Sequence, residues 1–230
     1  MLSFNEHSRY NHSNRRLLFN RKSSFAKIIA NEFSFLYLDS GALYRGVTLF
    51  AIEKGFINDS CEIDIPGLEK ALQGLDLHFG EDGAYIADRC IESEIRSMAV
   101  ADKVSPIATV PQVREFVDRK LREFGAKKRV VMDGRDIGTT VFPNAELKIF
   151  MTADPLVRAR RRAEEMAAKG EKTDIEVVLK NLQERDYIDS HRDTSPLTKA
   201  DDAIVLDNSD MTMEDQLEWI KKIISDLCSK

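Results

Sequence analysis

The chain reads as an α/β protein, a parallel sheet covered by helices on both faces with a small α+β insert, on three observations. Short apolar runs alternate with stretches of helical spacing, the signature of strands joined by crossover helices. Between Asn58 and Ser105 that alternation gives way to short helices and a hairpin. The run Arg129 to Pro143, RVVMDGRDIGTTVFP, is an apolar strand that ends in two carboxylates flanking an arginine. At 230 residues the chain is long enough for one core carrying a small inserted domain.

The elements follow in order. A helix is expected over Ser23 to Glu32, and the apolar run Phe35 to Leu38 is closed by Asp39-Ser40-Gly41. Ala42 to Gly55 then carries Leu43, Val47, Phe50 and Ala51 at helical spacing, so a strand feeds a helix. In the insert, a helix is expected around Pro66 to Leu75, and a hairpin from Leu77 to Ile86 turning at Asp82-Gly83. A short helix near Glu92 to Met98 completes it. Helix Val110 to Phe124 leads into strand Val130 to Met132, and Leu147 to Met151 is the next strand. Pro155 opens an arginine-studded helix to about Lys169, followed by a helix over Asp174 to Asp189. A last strand, Ala203 to Leu206, precedes an amphipathic helix over Met213 to Leu227, with Leu217, Ile220 and Ile224 on its apolar face. A parallel sheet of this kind needs a central strand ahead of the first helix, and residues 1 to 20 contain nothing that reads as one.

The net charge of -5, from 34 basic and 39 acidic residues, argues against a general nucleic-acid surface. Cys61, Cys90 and Cys228 stand at no metal-ligand spacing and read as reduced thiols of a cytoplasmic protein. No apolar run approaches the roughly 20 residues that cross a bilayer. The first 27 residues, rich in Arg, Ser and Asn, superficially fit an organellar transit peptide.

Ligands of open α/β sheets sit beyond the carboxyl ends of the strands, which is where Asp133, Arg135 and Asp136 fall. Their plain alternative is a polar strand-to-loop cap. Arg158, Arg161 and Arg162 share a helix with Glu164 and Glu165, and a solvated charged face is the simplest reading of such a run. Arg185, Asp186, Asp189 and Arg192 have the spacing of an ion-pair ladder. The polar loop Asp193 to Pro196 that follows favours a ligand instead.

Four segments taken together, FLYLDSGALYR (Phe35 to Arg45), VPQVRE (Val110 to Glu115), VVMDGRDIGTTVFP and ERDYIDSHR (Glu184 to Arg192), closely resemble bacterial-type cytidylate kinase. The resemblance runs from about Lys22 to the end. It implies a P-loop nucleoside monophosphate kinase, a monomer that moves the terminal phosphoryl group of ATP to CMP or dCMP with Mg2+. It divides the chain into an aberrant segment 1–21, core 22–57, a CMP-binding insert 58–105, and core 106–230 with a lid around 155–192.

Residue by residue, the resemblance assigns phosphate contacts to Arg45, Arg135, Arg185 and Arg192, and cytosine recognition to Ser40, Ser105, Arg114 and Asp136. Asp189 would hold the sugar hydroxyls, Arg158 and Arg162 would close over ATP beside Lys22 and Ser23, and Asp133 would order the magnesium water shell. The chemistry asks for such groups independently, since phosphoryl transfer relies on positioning and positive charge. A carboxylate such as Asp136 accepts from the exocyclic amine of cytosine and repels the carbonyl of uracil, a mismatch of roughly 1 to 3 kcal/mol.

One motif departs from the family. A P-loop needs GxxxxGK[ST], because glycine amides cradle the phosphates. This chain has Asn20-Arg21-Lys22-Ser23-Ser24, and no glycine occurs before Gly41. Phe19-Asn20-Arg21-Lys22 can be encoded as TTC AAC AGG AAA, which read one base later gives Ser-Thr-Gly-Lys. Carried back through Ser13, the shift permits Ile-Ala-Ile-Asp-Gly-x-Ser-Ser-Thr-Gly-Lys, a strand and a complete P-loop. Residues up to about Arg21 are therefore expected to be out of frame, and negligible kinase activity is expected of this exact chain. Two other readings stand beside it: a non-catalytic CMP-binding protein, and a related kinase for another small acceptor such as UMP or a sugar acid.

Overall fold

The computed structural model describes residues 21–80, 82–126, 129–168, 170–171 and 173–228, with the side chains of Arg21, Lys22 and Cys228 outside that description. The segment 1–20, the central strand sought there and the side chain of Lys22 thus lie outside the described residues. The chain divides into two compact units, one of residues up to 38 and from 128 onward, the other of residues 39–127.

The first unit is the α/β core. Helix α1 (Arg21–Phe33) turns at Ser34, whose φ of 55° is left-handed, into strand β1 (Leu36–Asp39), whose last residue opens the other unit. Strand β1 pairs with β5 (Val130–Asp133). Strand β6 (Ile149–Thr152) pairs in parallel with β7 (Ile204–Asp207), Ile149 opposite Ile204 and Thr152 opposite Asp207. Helices α6 (Pro155–Ala168), α7 (Ile175–His191) and α8 (Met213–Cys228) complete the unit. Asp174 starts α7 by accepting from the Glu176 N–H at 2.9 Å, which supplies one of the partners a helix N-terminus lacks. Phe25, Ile29, Ala30, Phe35, Leu206, Ile220 and Ile224 form the core, so α1 and α8 bury their apolar faces together. Among the described residues the core strands come as these two pairs, within the α/β class the sequence predicts.

The second unit joins α2 (Ser40–Glu53), α3 (Ile65–Leu72), α4 (Met98–Thr109) and α5 (Pro111–Gly125) to a three-stranded antiparallel sheet. Its strands are β2 (Leu77–Gly80), β3 (Gly83–Ile86) and β4 (Arg89–Cys90), with Leu77 opposite Ile86 in the hairpin the sequence predicts. Leu43, Val47, Leu68, Leu77, Ile91, Ile107, Val113 and Leu121 are fully buried. Gly46 lets α2 approach the sheet: a Cβ there would stand 2.7 Å from a Leu77 methyl.

The short helix expected near Glu92 to Met98 is a single 3-10 turn, Glu94–Arg96, and a helix not expected from the sequence, α4, follows and runs on through Ser105 and Pro106. Proline inside a helix removes one backbone donor and reads as a boundary. Here Val100 and Ile107 are buried on one side of α4, and tertiary burial outweighs that local cost.

Candidate active site

Charged side chains gather at the carboxyl end of β5, where the Val130-Val131-Met132 run gives way to polar residues. Asp133 closes the strand, buried, and accepts two hydrogen bonds: from Ser23 Oγ on α1 at 2.7 Å and from Tyr37 Oη on β1 at 2.9 Å. Asp136 follows in a single wide turn, Ile137–Val141, in which its carbonyl accepts from Thr140 N at 2.8 Å.

Around that turn the first unit builds one ionic network. Arg135 Nε donates to Asp189 on α7. Arg192, which caps α7 in an extended conformation, lies 3.8 Å from Asp136 and 3.8 Å from Asp189, and its Nε donates to the Ser195 carbonyl at 2.7 Å. Its side chain is only 9% exposed, so both charges it faces are largely shielded from solvent. Four residues from the strand end and the α7 end, Arg135, Asp136, Asp189 and Arg192, are thus brought together.

The arginines of α6 and the middle of α7 behave differently. Arg158 on α6 donates to both carboxylate oxygens of Asp186 on α7, with Nη2 to Oδ1 at 3.1 Å. Arg162 pairs with Glu165 one turn on at 3.1 Å, and Arg185 is exposed on α7. Arg161, not assigned from sequence, grips the loop after β7 through Asn208 Oδ1 at 3.1 Å and the carbonyls of Asn208 and Ser209, both at 2.9 Å. Nothing in a run of three arginines told which one serves the fold.

In the second unit, Ser40 is buried at the start of α2 and Ser105 is half-buried on α4. Arg114 is buried at 2% exposure, donates Nη1 to the Ala108 carbonyl at 3.1 Å and stacks its guanidinium 5.5 Å from the Tyr44 ring centroid. Arg45 stands 3.9 Å from Asp39, and the same oxygen accepts from Arg96 at 3.0 Å. Arg96 was missed in the sequence because the insert offers no motif around it. Burial alone would lower its pKa, but Glu92 and Asp39 outweigh that and hold it above the ordinary value.

A sequence model described as Cytidylate kinase matches residues 20–226. The chain belongs to the cytidylate kinase family. It is 49% identical over 205 residues to a protein named cytidylate kinase from Parabacteroides distasonis, covering 86% of this chain and 89% of that protein. A Bacteroides thetaiotaomicron protein of the same name is 47% identical over 207 residues, covering 87% and 90%. One from Flavobacterium psychrophilum is 42% identical over 217 residues, covering 90% and 93%. The reaction of the cytidylate kinase family is ATP-dependent phosphorylation of CMP or dCMP, so the chain is a phosphotransferase by descent with nucleotides as substrates. No helix among the described residues is long and apolar enough to cross a membrane.

Proposed function

We propose that CMP or dCMP is the acceptor of this chain, with Ser40, Ser105, Arg114 and Asp136 reading the base, Asp189 the sugar, and Arg45, Arg135, Arg185 and Arg192 the phosphates. The observation that carries this reading is the buried network of Arg192 with Asp136 and Asp189, joined by Arg135. Two carboxylates already neutralised by two arginines suit a ligand that brings a donor amine, hydroxyls and a phosphate. The acceptor phosphate has a second pKa of about 6, so at neutral pH it is mostly dianionic and needs no general base. Asp133 and Asp136 are therefore not bases here; guanidinium forks that hold charge in line do the catalytic work.

Mg2+ fits the oxygen-rich neighbourhood of Ser23 and Asp133, whose oxygens stand 2.7 Å apart: Asp133 would order its water shell, and the ion would neutralise donor phosphate charge. The seat for ATP fits less well. Arg158 and Arg162 remain as donor contacts, but no glycine precedes Gly41, so the backbone cradle beside Lys22 is missing from the sequence. We read residues 1–21 as out of frame, a reading supported by the family match beginning only at Asn20. Gene sequence through the Lys22 codon decides that point: an open frame with no shifted glycine loop ends the idea. The reading carries with it a cytoplasmic monomer acting on free nucleotides, with no nucleic-acid or membrane partner.

Calorimetry on the intact chain tests the proposal. CMP is expected to bind, UMP to bind about tenfold or more weakly, and ATP to give no measurable heat. CMP binding without ATP binding, the expected result, makes this exact chain a CMP-binding protein without turnover that keeps the family's acceptor site, whereas ATP heat comparable to that of CMP would show a working donor seat. Equal affinity for CMP and UMP would overturn the assignment of Asp136.

A further inference from the structure

Asp39 and Arg45 present an unresolved competition within residues 39–127. A carboxylate this near a guanidinium normally closes into a short, charge-assisted pair, at about 2.7 to 2.9 Å. Arg45 Nη1 instead stands 3.9 Å from Asp39 Oδ2, while Arg96 Nη2 reaches that same oxygen at 3.0 Å. Arg96 is itself fixed from behind: Glu92 Oε1 accepts from its Nε at 3.1 Å and its Nη2 at 2.7 Å. Glu92 Oε2 in turn accepts from the Ala84 N–H on β3 at 3.3 Å. A chain of polar contacts therefore runs from the sheet to Asp39.

Two glycines leave room for it. A Cβ at Gly83, whose φ of 132° already disfavours a side chain, would stand 2.5 Å from Glu92 Oε2. One at Gly41 would stand 3.0 Å from Asp39 Oδ1 and 3.1 Å from Arg45 Nη1. A side chain at Gly83 would be strained, and one at Gly41 would crowd the Asp39 and Arg45 side chains.

We propose that Arg96 is a positioning residue that draws Asp39 away from Arg45, so that the acceptor phosphate, and not the resident carboxylate, takes the Arg45 guanidinium. The proposal rests on the reading that Arg45 contacts that phosphate. It assigns Arg96 no contact with the nucleotide. Its effect is confined to the phosphate, because the competing group is an anion and the base and sugar are recognised by other side chains.

The test is calorimetric titration of CMP and of cytidine, which lacks the phosphate, into the full chain and its variants, each checked for an intact thermal transition. Arg96→Met is expected to weaken CMP about tenfold, the worth of one charged hydrogen bond, and to leave cytidine unchanged. Arg96→Lys keeps the charge and is expected to retain most CMP affinity. Adding Asp39→Asn to Arg96→Met is expected to restore CMP binding, because the competitor is gone. Equal losses for CMP and cytidine, or a double variant as weak as Arg96→Met, would overturn the role of Arg96 while leaving the acceptor reading intact. Failure of the unaltered, folded chain to bind CMP overturns the acceptor reading and this proposal together.

Discussion

On the proposed assignment, the acceptor and donor sides of this chain rely on phosphate recognition of two different kinds, and the difference is how one could survive without the other. The residues proposed for the acceptor are side chains from separate segments tied to local partners: Arg114 to the Ala108 carbonyl, Arg192 to the Ser195 carbonyl, Arg135 to Asp189. A P-loop donor seat depends on backbone amides of a glycine loop, and Asn20-Arg21-Lys22-Ser23-Ser24 supplies no glycine. Side-chain recognition is distributed along the chain and insensitive to a local change of sequence. Backbone recognition is concentrated in a few residues and is erased with them, because a residue with a Cβ blocks the close approach the phosphates require.

The largest effect should come from reversing that erasure. Replacing residues 1–21 with the frame-shifted reading, through Ser-Thr-Gly-Lys at the Lys22 register, is expected to raise CMP phosphorylation by at least about 10³-fold, since a single lost phosphate or oxyanion donor costs about 10² to 10³. The measurement is initial rate of CDP formation at saturating CMP. Equal rates for the two chains would refute the claim that the glycine cradle separates the two sides.

The acceptor side can be broken more selectively. Arg192→Met is expected to weaken CMP by about ten- to a hundredfold, because a charge-assisted contact in a shielded site is worth about 1.5 to 3 kcal/mol. It also removes the counter-charge that Asp136 and Asp189 share, so the melting temperature of the variant should be recorded with its affinity. An unchanged CMP affinity would remove Arg192 from the acceptor group.

Much of this contrast was legible before any coordinates. Strand ends and helix starts were readable where apolar spacing and turn residues agreed, as at Asp39-Ser40-Gly41, Pro155 and Asp174. The grouping of Arg135, Asp136, Asp189 and Arg192 followed from motif resemblance, whereas its wiring, with Arg192 between two carboxylates, depends on how α7 ends. Helix α4 was hidden by Pro106, since a local breaker carries no information about the burial that overrides it. The division of labour among Arg158, Arg161 and Arg162 was equally hidden: arginines within about one turn of a helix differ only in helical phase, and which phase meets the loop after β7 is a tertiary fact.

Stability of the second unit sharpens the comparison further, because its side chains need a rigid frame. Gly46→Ala puts a methyl 2.7 Å from a buried Leu77 methyl at the contact of α2 with the sheet. Helix propensity favours alanine, but overpacking a closed core costs about 1 to 3 kcal/mol. A net loss of about 1 kcal/mol in denaturant unfolding is expected, with cytidine binding retained in the folded fraction. A gain in stability would mean that Leu77 can move aside.

The smallest effect lies in the first unit, between β6 and the approach to β7. Lys148 Nζ donates to Asp202 at 2.8 and 2.9 Å and to the Pro143 carbonyl, and the hydrogen bond from Lys148 holds the Asp202 carboxyl below its usual value of 3.8. A depressed carboxylate pKa contributes stability that is complete above the unfolded value, near 4, and fades as the pH falls through the folded one. Asp202→Asn should therefore melt slightly lower than the unaltered chain at pH 7, and the gap should close below about pH 4. Because Asp202 is exposed, salt should also narrow it. A gap that persisted unchanged in acid would point to lost geometry around Lys148 rather than lost charge, and would tie the loop after Pro143, next to the turn that carries Asp136, to the acceptor side by packing instead of electrostatics.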